Sequence, residues 1–142
     1  MNVGHILQRP LVMIPSGTTM FDAAKLMVEN NMGFLVICDA KERTKLAGVI
    51  SERDIMKAIA SGKELSAPVD EVSSKRVITA KADSDVAEAA KAMNKNRIRH
   101  VVVVDEQGKP IGVVSTRDLV GERATLTAIL QSNEKEIFIG GD

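Results

Sequence analysis

The sequence has no tyrosine, no tryptophan and only three phenylalanines among its 142 residues. Proteins that hold single-stranded nucleic acid stack bases on aromatic rings, and those rings are missing here. Charge of one sign is missing too. Nineteen Lys and Arg balance nineteen Asp and Glu, for a net charge of zero. A chain that neutralised many phosphates would carry a basic excess, so nucleic acid is disfavoured as a partner. The single cysteine, Cys38, excludes a disulfide within the chain and suits a reducing compartment. No run approaches the roughly 18 apolar residues of a membrane span, and the opening "MNVGHILQRP" lacks the apolar stretch of a signal peptide. The expectation is a cytoplasmic protein with no membrane segment. Two distant histidines and one cysteine offer no metal-ligand spacing. G-x-x-x-x-G-K-[ST] and G-x-G-x-x-G are both absent, and Ser51 has no activating histidine or lysine at a recognisable spacing. No catalytic set, no metal and no required cofactor are expected, hence no enzyme.

What the sequence does contain is a repetition. "GVISERDI" (48–55) returns as "GVVSTRDL" (112–119), identical at five of eight positions. At an offset of 66, "DAAKLMVENNMGFLVICD" (22–39) lies over "EAAKAMNKNRIRHVVVVD" (88–105), with seven of eighteen positions identical. Chance would give about one at typical composition. Met20, Ala23, Ala24 and Met27 recur as Val86, Ala89, Ala90 and Met93, the stripe of an amphipathic helix. Thr18 or Thr19 can cap the first such helix and Asp83 or Ser84 the second. The β-branched runs "FLVIC" (34–38) and "HVVVV" (100–104) are too short for helices and read as buried strands. "GVI" and "GVV" read as further strands that lead into helices through Ser51 and Ser115, and Val3 and Ile6 match Val69 and Val72.

The fold class expected is α/β (α+β), with two β-α-β-β-α repeats related by a pseudo-two-fold axis and their sheets packed face to face. The repeats are placed at 1–60 and 69–125, with a connector at 61–68 and a C-terminal extension at 126–142. One repeat of about 65 residues would bury little core by itself, so two that cover each other explain the repetition without a ligand.

The phrase S-x-R-D at a strand-to-helix junction also has chemistry. Free N–H groups at the helix start, the serine hydroxyl of Ser51 or Ser115 and the guanidinium of Arg53 or Arg117 suit a phosphate. Asp54 or Asp118, one turn on, can accept hydrogen bonds from adjacent hydroxyls, as on a ribose. Together they describe a nucleotide. The same letters also describe a capping box, in which Ser and Asp satisfy their own helix. A cap, however, needs neither the glycine nor the arginine.

"GVISERDI", "GVVSTRDL" and "RIRHVVVVDEQGKPIG" resemble the cystathionine β-synthase (CBS) domain, tandem pairs of which are called Bateman modules. The resemblance spans residues 3 to about 120 in two copies, as in a free-standing pair. Val36 and Val102 stand where the family usually has proline. The resemblance implies a regulatory module with adenine nucleotide (AMP, ADP or ATP) as ligand in the inter-repeat cleft, a homodimer, and a regulated partner protein that reads a conformational shift. The alternative is a ligand-independent interaction and dimerisation scaffold. It further implies ribose contacts from Asp54 and Asp118 and phosphate contacts near Ser51 and Ser115. Adenine contacts would come from Met13 and Ile14 in one pocket and Thr79 and Ala80 in the other. Residues preceding one repeat's middle strand are expected to reach the other repeat's pocket. Arg99 and His100 would then serve the pocket of Asp54, leaving Gly33 and Phe34 to that of Asp118. The Asp54 pocket is accordingly expected to hold a phosphorylated ligand more tightly.

Overall fold

The two apolar runs become the middle strands of two three-stranded sheets in the computed structural model, which describes residues 1–7 and 11–119. The first repeat runs β1 (Met13–Pro15), α1 (Met20–Glu29), β2 (Phe34–Cys38), β3 (Leu46–Ser51) and α2 (Glu52–Ala60). The second runs β4 (Thr79–Lys81), α3 (Val86–Asn96), β5 (His100–Val104) and β6 (Pro110–Ser115), followed by a helical turn at 116–119. In each sheet the first strand pairs parallel to the middle one and the third antiparallel to it. The register shifts at equivalent places, Ile37/Cys38 and Val103/Val104. The expected β-α-β-β-α repeat is therefore present twice. The segment 126–142 lies outside the described residues.

Side-chain alternation explains why the middle strands are apolar throughout. Leu35 and Ile37 point to a core with Ile14, Ala23, Met27, Ile50 and Ile55. Val101 and Val103 do the same with Ala89, Met93 and Val114. Val36, Val102 and Val104 point the other way and meet each other, with Met13, Phe34, Val49 and Val113 around them. This third cluster joins the two repeats. Cys38 is buried, its thiol on the Ile14 carbonyl at 3.5 Å.

The leading turns are exchanged. The 3-10 turn Val3–Ile6 precedes repeat 1 yet packs in the core of repeat 2, where Val3 is fully buried. Its Val3 and Gly4 N–H groups donate to the Ser84 and Ala82 carbonyls, both at 2.8 Å. The matching turn Val69–Glu71 precedes repeat 2 and packs in the core of repeat 1, with Val69 N–H donating to the Thr18 carbonyl at 2.7 Å. Asp70 strengthens this second dock by accepting from the Ser16 hydroxyl and, at 2.6 Å, the Gly17 N–H. Burial pushes the Asp70 carboxyl up, but those hydrogen bonds outweigh it and leave it below its ordinary value.

The exchange explains the glycine of the repeated phrase. A β-carbon on Gly48 would stand 2.8 Å from the Ser74 carbonyl oxygen, and one on Gly112 would stand 2.7 Å from the Leu7 side chain. Both glycines admit a segment that arrives with the exchanged turn. Helix starts are capped at equivalent positions: Thr19 accepts from Asp22 N–H and Asp85 from Ala87 N–H. Asp85, rather than Asp83 or Ser84, therefore caps α3: it stands immediately before the first helical residue, with β-region backbone.

Candidate functional site

Strand β3 ends at Ser51 opposite Phe34, and β6 ends at Ser115 opposite His100. At both places the backbone turns into a helix through a reciprocal cap. The Ser51 hydroxyl accepts from Asp54 N–H at 3.2 Å while the Asp54 carboxylate accepts from Ser51 N–H at 2.8 Å. Ser115 and Asp118 repeat both bonds at the same distances. The capping box read from the sequence is thus formed twice. It leaves chemistry in reserve: a carboxylate offers about four lone-pair positions and the cap uses one.

The residue after each serine is tied to the start of the middle strand's approach. Glu52 N–H donates to the Gly33 carbonyl and Thr116 N–H to the Arg99 carbonyl, both at 2.8 Å. The beginnings of β2 and β5 also meet. The Phe34 ring lies on the His100 ring with centroids 4.4 Å apart and planes 11° from parallel.

Beside that stack opens a cleft of about 520 Å³, within the size range of small-molecule sites. Repeat 1 supplies Leu11, Val12, Gly33, Phe34 and Glu52 to its wall; repeat 2 supplies Arg99, His100, Ser115, Thr116, Arg117 and Asp118. The repeat 1 lining is largely apolar, with Glu52 as its charged group. The repeat 2 lining combines two guanidinium groups, a helix start with its serine, and a carboxylate with free lone pairs. Burial holds the His100 imidazole below its ordinary value, against the pull of Asp118 and Glu52 and with the help of Arg99. At neutral pH it is a neutral hydrogen-bonding group stacked on phenylalanine.

The structure brings five of the expected site residues together: Arg99, His100, Ser115, Arg117 and Asp118. Asp54 does not line this cleft. Asp54 is half-buried and borders a shallow depression with Lys57, Ala58, Ser61 and Val72. Ser51 is half-buried in its own cap and Arg53 is exposed, and neither lines the cleft. Arg99 and His100 thus line a cleft with the aspartate of their own repeat instead of Asp54, and Gly33 and Phe34, the pair expected beside Asp118, line the same cleft. The register is the reason: His100 sits directly opposite Ser115, so the strand start and the helix start of one repeat share one corner. Met13 is half-buried between the sheets, Ile14 lies in the repeat 1 core, Thr79 is exposed and Ala80 packs against the repeat 2 core. The apolar wall is instead Leu11 and Val12, immediately before β1.

Comparisons with known proteins agree with this architecture. The family model for the CBS domain matches residues 3–61 and 69–124. An uncharacterized 17.7 kDa protein of Acidianus ambivalens is 37% identical over 117 residues, 82% of this chain and 70% of that protein. L-aspartate semialdehyde sulfurtransferase of Methanocaldococcus jannaschii is 35% identical over 117 residues, 82% of this chain but 22% of the enzyme. Among solved structures, a CBS domain protein from Pyrobaculum aerophilum complexed with AMP superposes with a TM-score of 0.84 at 34% identity, over 92% of this chain and 99% of that one. The CBS domain pair of protein MJ0100, in complex with 5′-methylthioadenosine and S-adenosyl-L-methionine, gives 0.76 at 30% identity, over 94% and 98%.

Proposed function

This chain belongs to the CBS domain family, and on that premise we propose that it is a regulatory, non-catalytic module whose inter-repeat cleft binds an adenine nucleotide. The observation that carries the reading is the gathering of Arg99, Arg117 and the Ser115 helix start with Asp118 in one cleft that the apolar pair Leu11 and Val12 also lines. Phosphate goes to the guanidinium groups and the helix start, ribose hydroxyls to Asp118, and the base to the apolar wall. AMP and S-adenosyl-L-methionine in similar CBS pairs support an adenosine ligand. Asp118 replaces Asp54 as the principal ribose contact in this proposal.

The ligand touches both repeats, so it stabilises one relative arrangement of them. Signalling follows by population shift, read by a partner protein. A homodimer is part of the same proposal. The neighbouring helices α1 and α2 expose Phe21, Val28, Met56 and Ile59, apolar surface that a second copy would cover. Nothing in the described residues places the process in a compartment; none of their helices is long and apolar enough to cross a membrane.

A second reading has an observation of its own. Both motif aspartates are engaged in caps, as a ligand-independent scaffold requires. Calorimetric titration of protein stripped of co-purified ligand with AMP, ADP, ATP, NAD and S-adenosyl-L-methionine separates the two. Micromolar binding of an adenine compound supports the sensor; silence across that panel leaves the scaffold.

A further inference from the structure

The motif's one internal difference that changes charge is its second letter: Glu52 in the first copy, Thr116 in the second. Both residues are the first of their helices, and both are held by the same backbone bond, to Gly33 and Arg99 respectively. Their side chains behave differently. The Glu52 carboxylate folds back over Gly33, so closely that a β-carbon there would stand 2.8 Å from the carboxyl carbon. The absence of a side chain at Gly33 is what lets the carboxylate lie against the cleft wall. In the second repeat the same place is filled by Arg99, and the Thr116 hydroxyl is turned to the Arg99 carbonyl at 3.4 Å. Glu52 therefore lines the same cleft as Arg99 and Arg117, the groups that would receive phosphate, and acts electrostatically on His100.

The formal charges of the cleft then cancel. Arg99 and Arg117 are matched by Glu52 and Asp118, and His100 is neutral at pH 7. A cleft built for a polyphosphate would show an excess of positive groups, since each added phosphoryl group brings between one and two negative charges. Resting on the adenine-nucleotide reading above, we infer that Glu52 is a specificity-determining residue that sets the cleft against polyphosphates, so that its ligand is an adenosine compound with at most one phosphate. The carboxylate repels the β- and γ-phosphates while Arg99 and Arg117 still hold a single one. Asp118 and the apolar wall, which recognise the nucleoside, are indifferent to the change.

The test is calorimetric titration of the full chain with AMP, ATP and 5′-methylthioadenosine, with magnesium chelated, for the wild type, Glu52→Gln and Glu52→Thr. The wild type is expected to bind AMP more tightly than ATP. Both variants are expected to narrow the AMP-to-ATP affinity ratio by roughly two- to tenfold, the scale of one partly exposed charge. Affinity for uncharged 5′-methylthioadenosine should stay within about twofold. Glu52→Thr reproduces the residue of the second repeat, so retained melting temperature in that variant separates selectivity from misfolding. A wild type that prefers ATP, or an AMP-to-ATP ratio unchanged in both variants, overturns the inference and leaves nucleotide binding standing. A wild type that binds none of the three compounds overturns both.

Discussion

His100 shows how one residue's surroundings decide its behaviour. Its partial burial lowers its proton affinity, so between its ordinary value of 6.5 and its lower folded value the folded protein binds fewer protons than the unfolded chain. Stability is then complete above that window and falls as the pH drops through it. Thermal melts should show a loss as the pH falls through and below 6.5 that shrinks in His100→Phe, which keeps an aromatic ring at that place and removes the proton. An equal loss in that variant would mean another group titrates. At this scale the sequence singles out Arg99, His100, Ser115, Arg117 and Asp118, which line the cleft, because each carries a charge or donor in a repeated or unmatched position. Glu52 and Thr116 went unremarked, since they occupy the letter of the motif that varies. Leu11 and Val12 were missed because an apolar residue that lines a cleft is indistinguishable, in sequence, from one that fills a core.

At the scale of elements, periodicity was sufficient. The stripe of α1 and α3 and the β-branched runs of β2 and β5 lie where the spacing placed them, because burial on one helix face and on both strand faces leaves unambiguous patterns. The glycines were legible only as a coincidence of letters; their reason is a neighbour that arrives from far along the chain. That reason predicts unequal effects. Gly48→Ala drives a methyl group against the rigid Ser74 carbonyl, whereas Gly112→Ala meets the end of the flexible Leu7 side chain. Chemical denaturation should find Gly48→Ala destabilised by about 1–3 kcal/mol and Gly112→Ala by clearly less. Equal losses would contradict this account of the glycines.

The exchange of leading turns is a property of the whole molecule and left no mark in the local pattern, since Val3 and Val69 are apolar whichever core receives them. It makes each repeat incomplete without the other. Val3→Ala, at the first residue of the turn, should cost about 2 kcal/mol, and so should Val69→Ala, although the two residues lie at the heads of different repeats. Hydrogen exchange in Val3→Ala should rise chiefly in the second repeat, around Ala89, Met93 and Val101, rather than in the first. The same interdependence would give the proposed ligand its leverage, because the cleft wall comes from both repeats at once. The most direct measurement of that central claim is the calorimetric titration of AMP into the wild type, Asp118→Ala and Asp54→Ala, with melting temperatures taken alongside. Both variants lose one helix cap and should lose a similar stability, about 1 kcal/mol. If Asp118 holds the ribose, Asp118→Ala loses AMP affinity by tenfold or more, on the order of one or two charge-assisted hydrogen bonds, while Asp54→Ala binds nearly as the wild type does. Equal affinity in Asp118→Ala and the wild type would contradict the site.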